Sequence, residues 1–508
     1  MKTFKKNALF AALAGLGAVG LVGSAQAVNL NPDGLGQVLI YPYYTTRGNA
    51  DGNSFQSLIS VVNSTDMGKA VKVRFLEGKA SQEVLDFNLY LSAFDVWTGY
   101  VTPEGEGAKL QTNDNSCTYP AIPAGGVAFR NYQYTGPNAD QEDQTLNRTK
   151  EGYVEIIEMA DIDPTSPTGI AITHVNGVPK DCSKIADSGT QPAWVATDLD
   201  TGTGGLFGAM TLLSVNDGND VSFEATALDA FFTGPGHLWK PAGSILPNLA
   251  DVKPAVSTVV NGPDVYITQW AAPGIKTADP VSAVLMNNSV YNEYVLDDSI
   301  LARTDWVVTM PTKSYYYSGF GPKRERKVQK LFQRDFVLGG ACDDMGVIFY
   351  DREERHQQAT GDFSPPPPAG ASAALCWEAN VVTFGNARNT PSALRAENRY
   401  NLTLPPAYVN GWAEFDFSPV PAAPTNIDFN VGTAHVLTST LASQYIDLSV
   451  ATPAGVTVNT TTFTGLPMVG FAVQQLNNGE AVSADFGKIW ASYAGRIAHR
   501  FSKLIAGQ

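Results

Sequence analysis

The sequence predicts a mainly β protein: an antiparallel, immunoglobulin-like β-sandwich domain followed by a second β-rich domain with few short helices. Short segments rich in β-branched and aromatic residues alternate between apolar and polar positions, and clusters of turn residues separate them. Hydrophobic residues make up 44% of the chain and charged residues 16%, which provides for a large core and argues against global disorder. No fixed-period repeat occurs, so solenoid and propeller folds are disfavoured.

The first 27 residues have the pattern of a cleavable signal peptide. Three lysines fall within the first six residues, an apolar run follows from Ala8 to Val22, and Ala25-Gln26-Ala27 provides a cleavage site. The run is shorter than the roughly 20 apolar residues that a membrane-spanning helix needs, and no later segment reaches that length. We therefore expect export, with the cell surface or the extracellular space as the destination and the periplasm as the alternative.

The sandwich domain is predicted over residues 28–250. Its predicted strands cover residues 37–45, 55–62, 70–77, 84–91, 152–159 and, in two pieces, 206–228. In the third of these segments, Val71, Val73 and Phe75 alternate with basic residues, which is typical of a strand with one buried face. Between residues 101 and 150 the chain is rich in Gly, Pro, Asn and Asp and is expected to form long excursions.

The second β-rich domain is predicted over residues 251–508, after three closely spaced prolines. Its predicted strands cover residues 264–270, 304–317, 378–384, 411–417 and 445–450. Two other segments, Val281–Leu296 and Ile489–Ile505, carry apolar residues at helical spacing, although Gly495 weakens the second. We expect the second to be a terminal helix docked on the sheets, with interfacial membrane binding as the alternative.

The cysteines predict disulfide bonds, because an even number in an exported chain favours pairing. They are Cys117, Cys182, Cys342 and Cys376. We predict the pairs Cys117–Cys182 and Cys342–Cys376, since each pair then lies within one half of the chain. Four buried free thiols are the alternative. The sequence contains no C-x-x-C motif, so neither a redox motif nor a zinc knuckle is indicated.

Four long segments carry a further signal. They are GLGQVLIYPYYTTRG at residues 34–48, the stretch from AVKVRFLEG to EVLDFNLYLSAFDVWT at 70–98, TKEGYVEIIEM at 149–159, and NEYVLDD to TDWVVTMPTK at 292–313. In these segments the chain resembles a family of exported proteins of Gram-negative bacteria that are described as cell-surface or surface-layer-like. The resemblance covers most of the exported chain. It implies a β-rich component of the cell surface and carries no catalytic residues.

Familiar catalytic patterns are missing from the sequence. The five histidines form no H-x-H or H-E-x-x-H motif, and there is no G-x-S-x-G elbow. The glycine-rich segment 202–208 lacks the strand-loop-helix context of a phosphate-binding loop, so we interpret it as a turn into a strand. Glu155 and Glu158 stand three apart in a predicted strand and therefore face opposite ways, which argues against a glycosidase pair. No enzymatic activity is predicted.

Calcium is the ion for which the sequence offers candidate ligands. Three acidic turns place short oxygen-bearing side chains together, as a hard cation requires. The candidate ligands are Asp140, Asp143, Asp198, Asp200, Asp217 and Asp220. None of the turns completes an EF-hand, and ordinary Asx-turns on an acidic surface are the alternative interpretation.

The segment 323–334 is unusually basic, with six basic residues in twelve within a chain of formal net charge −15. These residues are Lys323, Arg324, Arg326, Lys327, Lys330 and Arg334. As a contact patch they would meet an acidic partner, either lipopolysaccharide phosphates or the acidic face of a neighbouring copy. A solvated face between strands is the alternative. Nucleic acid is not expected as a partner, because an acidic chain repels phosphate backbones.

Together these observations predict an exported structural or interaction protein of the cell surface, surface-layer-like and self-associating. The alternative is a secreted or periplasmic carbohydrate-binding protein or glycoside-active enzyme whose cleft the sequence does not reveal. Tyrosine clusters at 41–44 and 315–317 offer rings for sugar stacking. Alternate residues of a strand face opposite ways, however, so core packing is favoured for most of these rings.

Overall fold

The computed structural model describes residues 27–185, 198–271, 278–318, 324–326, 331–358, 373–386, 390–423, 433–450, 453–483 and 487–507. The predicted signal peptide, apart from Ala27, lies outside these residues. Within them the protein is mainly β, as the alternating pattern predicts. No helix in the described ranges is both long enough and apolar enough to cross a membrane.

The strands before residue 250 form two main sheets. In chain order they are β1 (Asn29–Leu30), β2 (Val38–Thr45), β3 (Gln56–Asn63), β4 (Gly68–Glu77), β5 (Glu83–Leu91), β6 (Val96–Glu104), β7 (Gly107–Gln111), β8 (Cys117–Tyr119), β9 (Val127–Ala128), β10 (Glu151–Ile162), β11 (His174–Val175), β12 (Val178–Pro179), β13 (Leu199–Asp200), β14 (Leu206–Phe207), β15 (Ala209–Ser214), β16 (Asn219–Glu224) and β17 (Thr226–Asp229).

The strands after residue 250 form several smaller sheets. They are β18 (Val256–Asn261), β19 (Asp264–Gln269), β20 (Met286–Asn287), β21 (Ser289–Val295), β22 (Arg303–Thr309), β23 (Asp343–Asp351), β24 (His356–Gln358), β25 (Ala373–Leu375), β26 (Ala379–Gly385), β27 (Arg399–Thr403), β28 (Asn410–Asp416), β29 (Val420–Pro421), β30 (Thr433–Ala434), β31 (Val436–Ser439), β32 (Ser443–Asp447), β33 (Gly455–Val458), β34 (Thr461–Thr464), β35 (Leu466–Pro467), β36 (Val469–Ser483), β37 (Gly487–Ala498), β38 (Arg500–Ser502) and β39 (Leu504–Gly507).

Helical structure is limited to short segments in the described residues. The α-helices are α1 (Pro167–Ile172) and α2 (Asp279–Leu285). Single 3-10 turns occur at Tyr132–Tyr134, Gly136–Asn138, Leu146–Lys150, Cys182–Ile185, Val215–Asp217, Asp298–Ile300 and Lys313–Tyr316.

The first half of the chain contains two antiparallel sheets packed face to face. The inner sheet has the order β1-β17-β2-β10-β4-β5-β8, and the outer sheet has the order β16-β15-β3-β6-β7-β9. Val73 and Ile156 of the inner sheet share one core with Ile59, Trp97 and Met210 of the outer sheet. This packing is sandwich-like, as predicted, while the immunoglobulin-like detail stays a prediction.

The inner sheet is covered on both faces. Every residue of β2, β4 and β10 is buried, including the side of β4 that the sequence predicts to face water. The chain that follows β17 lies over this second face, where the Asn88 amide donates to the Lys240 carbonyl and Leu249 N donates to the Tyr315 hydroxyl. The alternation of β4 therefore separates an apolar buried face from a polar buried face.

The second half is organised around two sheets that enclose an aromatic core. One has the order β27-β26-β22-β36-β37 and the other β24-β23-β28-β21-β38, with only β26 and β27 running parallel. The Trp306 ring lies 4.9 Å from Phe384 and 4.5 Å from Phe415, measured between centroids. Such aromatic contacts bury large areas and stabilise the packing of the two sheets.

The two halves share their cores. Val307 and Phe471 of the second half belong to the sandwich core, and Val38 and Ile157 of the inner sheet belong to the largest core of the second half. Leu249, at the predicted domain junction, is completely buried. The junction at residue 250 stays a prediction, but the chain there is packed rather than an exposed linker.

The predicted helix over Val281–Leu296 is only partly correct. Pro280 occupies the first turn of α2, which suits its fixed φ, and the helix ends at Leu285. Residues 289–295 form β21, in which Val290 and Tyr294 are buried while Glu293 is exposed. The β-branched and aromatic residues of this segment favour a strand, and pairing with β28 and β38 outweighs the helical spacing.

The predicted terminal helix over Ile489–Ile505 is wrong, because this segment lies in β37, β38 and β39. The ladder with β36 runs from Phe471 opposite Ala498 to Ser483 opposite Gly487. Backbone pairing to a long neighbouring strand therefore decides the structure, and Tyr493, which a docked helix would bury, is 59% exposed. The predicted strand 304–317 also ends early, since β22 stops at Thr309 and a 3-10 turn follows.

A first prediction concerns the shared cores. We expect residues 28–250, exported alone, to lack a cooperative unfolding transition, because the sandwich core would lose Val307 and Phe471, and Val38 and Ile157 would lose the core of the second half. Urea unfolding followed by near-UV circular dichroism measures this. Co-export of residues 251–508 should restore the transition, whereas a cooperative transition of the fragment alone would contradict shared stability.

Candidate functional site

Charged side chains of β4 form buried ion pairs on the second face of the inner sheet. Lys72 pairs with Asp86. Arg74 lies 2.8 Å from Glu83 and 2.6 Å from Glu155, between nitrogen and carboxylate oxygen. Burial raises the pKa of Glu155 to about 7, and the charge of Arg74 opposes that rise. These groups neutralise one another inside the protein and are not presented to a substrate.

A second buried cluster lies at the end of β10, where one ammonium group meets two carboxyl groups. Lys69 Nζ lies 2.7 Å from Glu158 Oε1 and also contacts Asp161. The Thr203 hydroxyl donates to Asp161 at 2.7 Å. Burial raises the pKa of Glu158 to about 8, and the neighbouring Asp161 carboxyl adds to the rise while Lys69 opposes it. One ammonium cannot balance two carboxylates, so a bound proton is favoured here.

The glycine-rich segment wraps around this cluster. Gly204 N donates to Glu158 Oε2 at 2.9 Å, and Gly204 has a φ of +77°. A Cβ on Gly202 would lie 2.6 Å from the same carboxylate oxygen, so only glycine fits. The loop thus holds the protein's own Glu158 carboxylate, and it leads into β14, which confirms the predicted turn into a strand.

Arg148 is the centre of a third buried cluster. Its guanidinium makes two hydrogen bonds to Glu77, at 2.7 and 3.0 Å, and two to Asp140, both at 2.8 Å. It also lies over the Tyr134 ring, 4.3 Å from the centroid. Burial alone would raise the pKa of Glu77, but Arg148 lowers it below its ordinary value. All three charged side chains are at most 4% exposed.

Glu151, the first residue of β10, joins the two halves. Its carboxylate accepts hydrogen bonds from the Tyr43 hydroxyl at 2.7 Å and from the backbone amides of Glu397 and Asn398 at 3.1 and 2.9 Å. Arg47 completes the set with an ion pair of 3.3 Å. A carboxylate with this many donors is a structural anchor, because each oxygen is already occupied.

Both predicted disulfide bonds are confirmed. Cys117 is bonded to Cys182, and Cys342 is bonded to Cys376. The first ties β8 to the turn after β12, and the second links the residue before β23 to the residue after β25. Disulfide bonds form and persist in oxidising compartments, so this pair of bonds is typical of a protein outside the cytoplasm.

The basic segment is only partly described, since Lys323, Lys327 and Lys330 lie outside the described residues. Arg324 and Arg326 are buried and bond to carbonyl groups, Arg324 to Ala80 O at 3.3 Å. Arg326 donates to Phe332 O at 2.9 Å. These two arginines therefore belong to the interior and not to an exposed contact patch.

Arg334 differs from them, because its side chain is 40% exposed and pairs with Asp344 at 2.9 Å. The contact patch as a whole stays a prediction, now without two of its six members.

Four of the calcium candidates have protein partners instead. Asp140 is held by Arg148, and Asp143 accepts from Thr145 N at 2.8 Å. Asp198 accepts from Thr168 N at 3.1 Å in the first turn of α1.

Asp217 pairs with Arg395, while Asp200 and Asp220 lie exposed on β13 and β16. No group of three or more metal-binding side chains occurs in the described part of the chain. The turns thus act as the Asx-turn interpretation expects, as local caps and ion pairs.

A serine, a histidine and an aspartate meet near the first disulfide bond. No sequence motif indicates this group. Ser92 Oγ lies 3.2 Å and Asp95 Oδ2 lies 3.6 Å from the same ring nitrogen, Nδ1 of His174. A nucleophilic relay needs the serine and the acid on opposite ring nitrogens. This arrangement therefore fixes the β11–β12 hairpin on the loop after β5 and does not activate the serine.

The outer sheet presents a large face that no described element covers. Its inward residues are buried and its outward residues alternate with them along β3, β6 and β15. We name as the open face the outward side chains of these strands and of β14: Gln56, Leu58, Ser60, Val62, Val96, Thr98, Tyr100, Thr102, Phe207, Ala209, Thr211 and Leu213. None of them is charged, whereas the chain carries a formal net charge of −15.

Apolar groups are exposed on the open face. Leu58 is 39%, Phe207 42% and Val96 45% exposed. The register places Val96 and Phe207 on either side of Val62 in one row across three strands. A contiguous apolar surface of this kind marks a contact site more often than an isolated exposed residue does. The sequence shows that the outward residues of β3 are uncharged, but only after the structure has identified which positions face outward.

An aromatic ladder crosses the exposed side of β23, β28 and β21. The Tyr350 and Trp412 rings are stacked, with centroids 4.4 Å apart and planes 9° apart, and Tyr291 lies 6.4 Å from Trp412 on the next strand. Trp412 is 40% exposed. A sugar stacks on a free ring face, but here the rings face each other, so the ladder mainly covers the sheet.

Comparison of the chain with protein-family models, with curated proteins and with solved structures gave no significant match. The resemblance to surface-layer-like proteins therefore stays a prediction, and a functional interpretation rests first on the geometry of the described residues.

A second prediction concerns Arg148. We expect Arg148→Met to lower the free energy of unfolding by about 3–5 kcal/mol, because two buried carboxylates lose their cation. Lys109→Met is the matched control, since Lys109 pairs at 3.0 Å with the half-exposed Glu104 and should change stability by less than about 1 kcal/mol. Equal effects in urea unfolding would contradict a special role for the buried cluster.

A third prediction concerns pH. Burial raises the pKa of Glu155 to about 7, of Glu158 to about 8 and of Glu378 to about 7, from an ordinary value of 4.5. Between pH 4.5 and 8 the folded state therefore holds more protons than the unfolded state. The stabilising contribution of these groups is complete below pH 4.5 and is lost as the pH rises through the folded pKa values.

Glu158→Gln tests this directly, since Lys69 keeps Asp161 as its partner. We expect the variant to lose about 3–4 kcal/mol of the decline in unfolding free energy between pH 5 and 8, measured by urea unfolding at each pH. Glu224→Gln, at a side chain that is 75% exposed, is the control and should keep the wild-type pH profile. An unchanged profile for Glu158→Gln would show that its carboxyl group does not titrate in this range.

Proposed function

We propose that this chain is an exported structural protein of the cell surface whose role is to make contacts, first of all with copies of itself, as a surface-layer-like component does. The observation that carries the proposal is the open face, a flat uncharged sheet surface with exposed Leu58, Val96 and Phe207 on an acidic protein. Exposing apolar surface to water raises the free energy of the folded protein, and contact with a partner lowers that free energy again.

Export is supported by two independent features. The disulfide bonds fit an oxidising compartment, and the first 27 residues have the pattern of a signal peptide. The resemblance of four segments to surface-layer-like proteins favours the outer surface over the periplasm as the final location.

The chemistry of the described charged groups also favours contact over catalysis. Glu158 and Glu155, whose pKa values burial raises, are paired with Lys69 and Arg74. The buried Glu378, whose pKa burial also raises, accepts hydrogen bonds from the Ser81 hydroxyl and from Ser314 N. The Ser92–His174–Asp95 group lacks the geometry of a relay. These groups stabilise the fold and leave the surface to determine function.

Carbohydrate binding is the second candidate, and the Tyr291–Trp412–Tyr350 ladder is the observation that favours it. Glu293 and Glu414 flank the ladder on neighbouring strands and could accept hydrogen bonds from sugar hydroxyl groups. The stacked rings reduce the area available to a sugar. Trp412 lies outside the open face, so Trp412→Ala should leave the size of the assemblies unchanged, whichever ligand the ladder accepts.

A fourth prediction tests the proposed function. The purified exported chain should show a mass that grows with concentration in sedimentation equilibrium, and the growth should increase with salt, because salt screens the repulsion between acidic copies. On intact cells the chain should be accessible to added protease. A strict monomer at every concentration and salt, or complete protection from protease, would contradict the proposal.

A further inference from the structure

We infer that the open face binds the open face of a second copy, the two sheets packing face to face about a two-fold axis that passes near Ser60 and Thr98. The inference rests on the proposed function and adds the site and the symmetry of the contact. Two-fold dimers are the commonest assemblies of identical chains, and each then uses the same patch on both partners.

Charge is the first argument. At a two-fold contact each side chain near the axis faces its own counterpart, so a charged residue there meets a like charge. The outward residues of β3, β6 and β15 between Gln56 and Val62, Val96 and Thr102, and Ala209 and Leu213 carry no charge. Asp114 lies beside this face, since its Oδ2 accepts from Thr98 N at 3.2 Å, but the outward side chains themselves add no repulsion between copies of a chain of formal net charge −15.

Hydrogen bonding is the second argument. Ser60 of β3 and Thr98 of β6 are paired in the central row of the face, and Thr211 of β15 lies in the next row. A hydroxyl group both donates and accepts, so it can pair with the same group of another copy. A side chain that only donates or only accepts cannot do this. Within the chain, Ser60 Oγ bonds to the Ala209 backbone at 3.3 and 3.4 Å, and Thr211 Oγ1 lies 2.8 Å from Ser222 Oγ. A contact between copies would therefore exchange these bonds, so the row is compatible with itself but gains little affinity from them.

Position of the charges is the third argument. Glu104 ends β6, Lys109 lies on β7, and Asp220 and Glu224 lie on β16, so all four stand at the margin of the face. Uncharged residues in the middle with charged residues at the rim is the usual anatomy of a protein contact. The rim also limits how far the two sheets can slide past each other.

The area agrees with a weak, reversible contact. Together with the rim strands β7 and β16, the strands of the open face are about 4.8 Å apart and about 20 Å long, which gives a flat area of roughly 450 Å² for each copy. Two such faces bury roughly 900 Å² in total, which is in the range of weak, transient contacts. We therefore expect a dimer that forms at micromolar to millimolar concentration and that many copies in a layer reinforce.

The first experiment introduces a charge on the face. Val96→Lys and Leu58→Lys, each placed at an exposed position, should raise the dissociation constant measured by sedimentation at least tenfold. Val260→Lys is the matched control, because Val260 is 47% exposed on β18 and lies outside the open face. The control should associate as the wild type does, and all three variants should keep the wild-type melting temperature, since none of the positions is buried.

The second experiment uses the symmetry. Thr98→Cys should form a disulfide-linked dimer under mild oxidation that reducing agent reverses, because the two copies of residue 98 lie near the axis. Val260→Cys should stay monomeric under the same conditions. This variant tests the orientation of the contact even if the lysine variants were to fold poorly.

The outcomes separate the two proposals. If the wild type associates but Val96→Lys and Leu58→Lys associate equally well, the open face is not the interface, while the proposed function stands. If the wild type is monomeric throughout, both proposals fail. If the wild type is monomeric alone but binds lipopolysaccharide micelles and Val96→Lys does not, the partner is a lipid surface and the inferred dimer is overturned.

Discussion

Strand β10 is buried on both faces, and this double burial constrains the chemistry of the whole molecule. Each charged side chain of β4 and β10 has lost most of its water and needs an ionic partner or hydrogen-bond donors close by. Lys69, Arg74 and Arg148 therefore each contact two carboxylates. Three parts of the fold depend on one another: the inner sheet, the chain segment after β17 and the second half. Removing any of them would leave a buried charge exposed or without its ionic partner.

The sequence predicts well what is determined locally. The β-branched content of residues 55–62 and the alternation in 70–77 identify β3 and β4. The even cysteine count, with each pair inside one half of the chain, identifies both disulfide bonds. The sequence alone cannot distinguish a strand with one solvent-exposed face from a strand that is buried on both faces. The cover of Arg74 comes from a segment about 170 residues later and from Tyr315, and no local pattern reports such distant contacts.

The errors have the same origin. The helical spacing in residues 489–505 is real, but the ladder with β36 supplies the backbone hydrogen bonds that decide the structure. Charge density alone predicts that Arg324 and Arg326 belong to an exposed patch, whereas both are buried and bond to carbonyl groups. Within the candidate site, the uncharged outward residues of β3 can be read from the sequence. The row they form with β6 and β15 requires the register.

The order of strands has a consequence for biosynthesis. The neighbours of β10 in the inner sheet are β2 and β4, which lie roughly 80 to 110 residues earlier, and the sandwich core also needs Phe471 and Val473 near the end of the chain. Contacts this distant in sequence form slowly. The sandwich core consequently cannot be completed until nearly all of the chain has been synthesised. Export, as proposed for this chain, would then place the final folding step in the compartment where the cysteines pair.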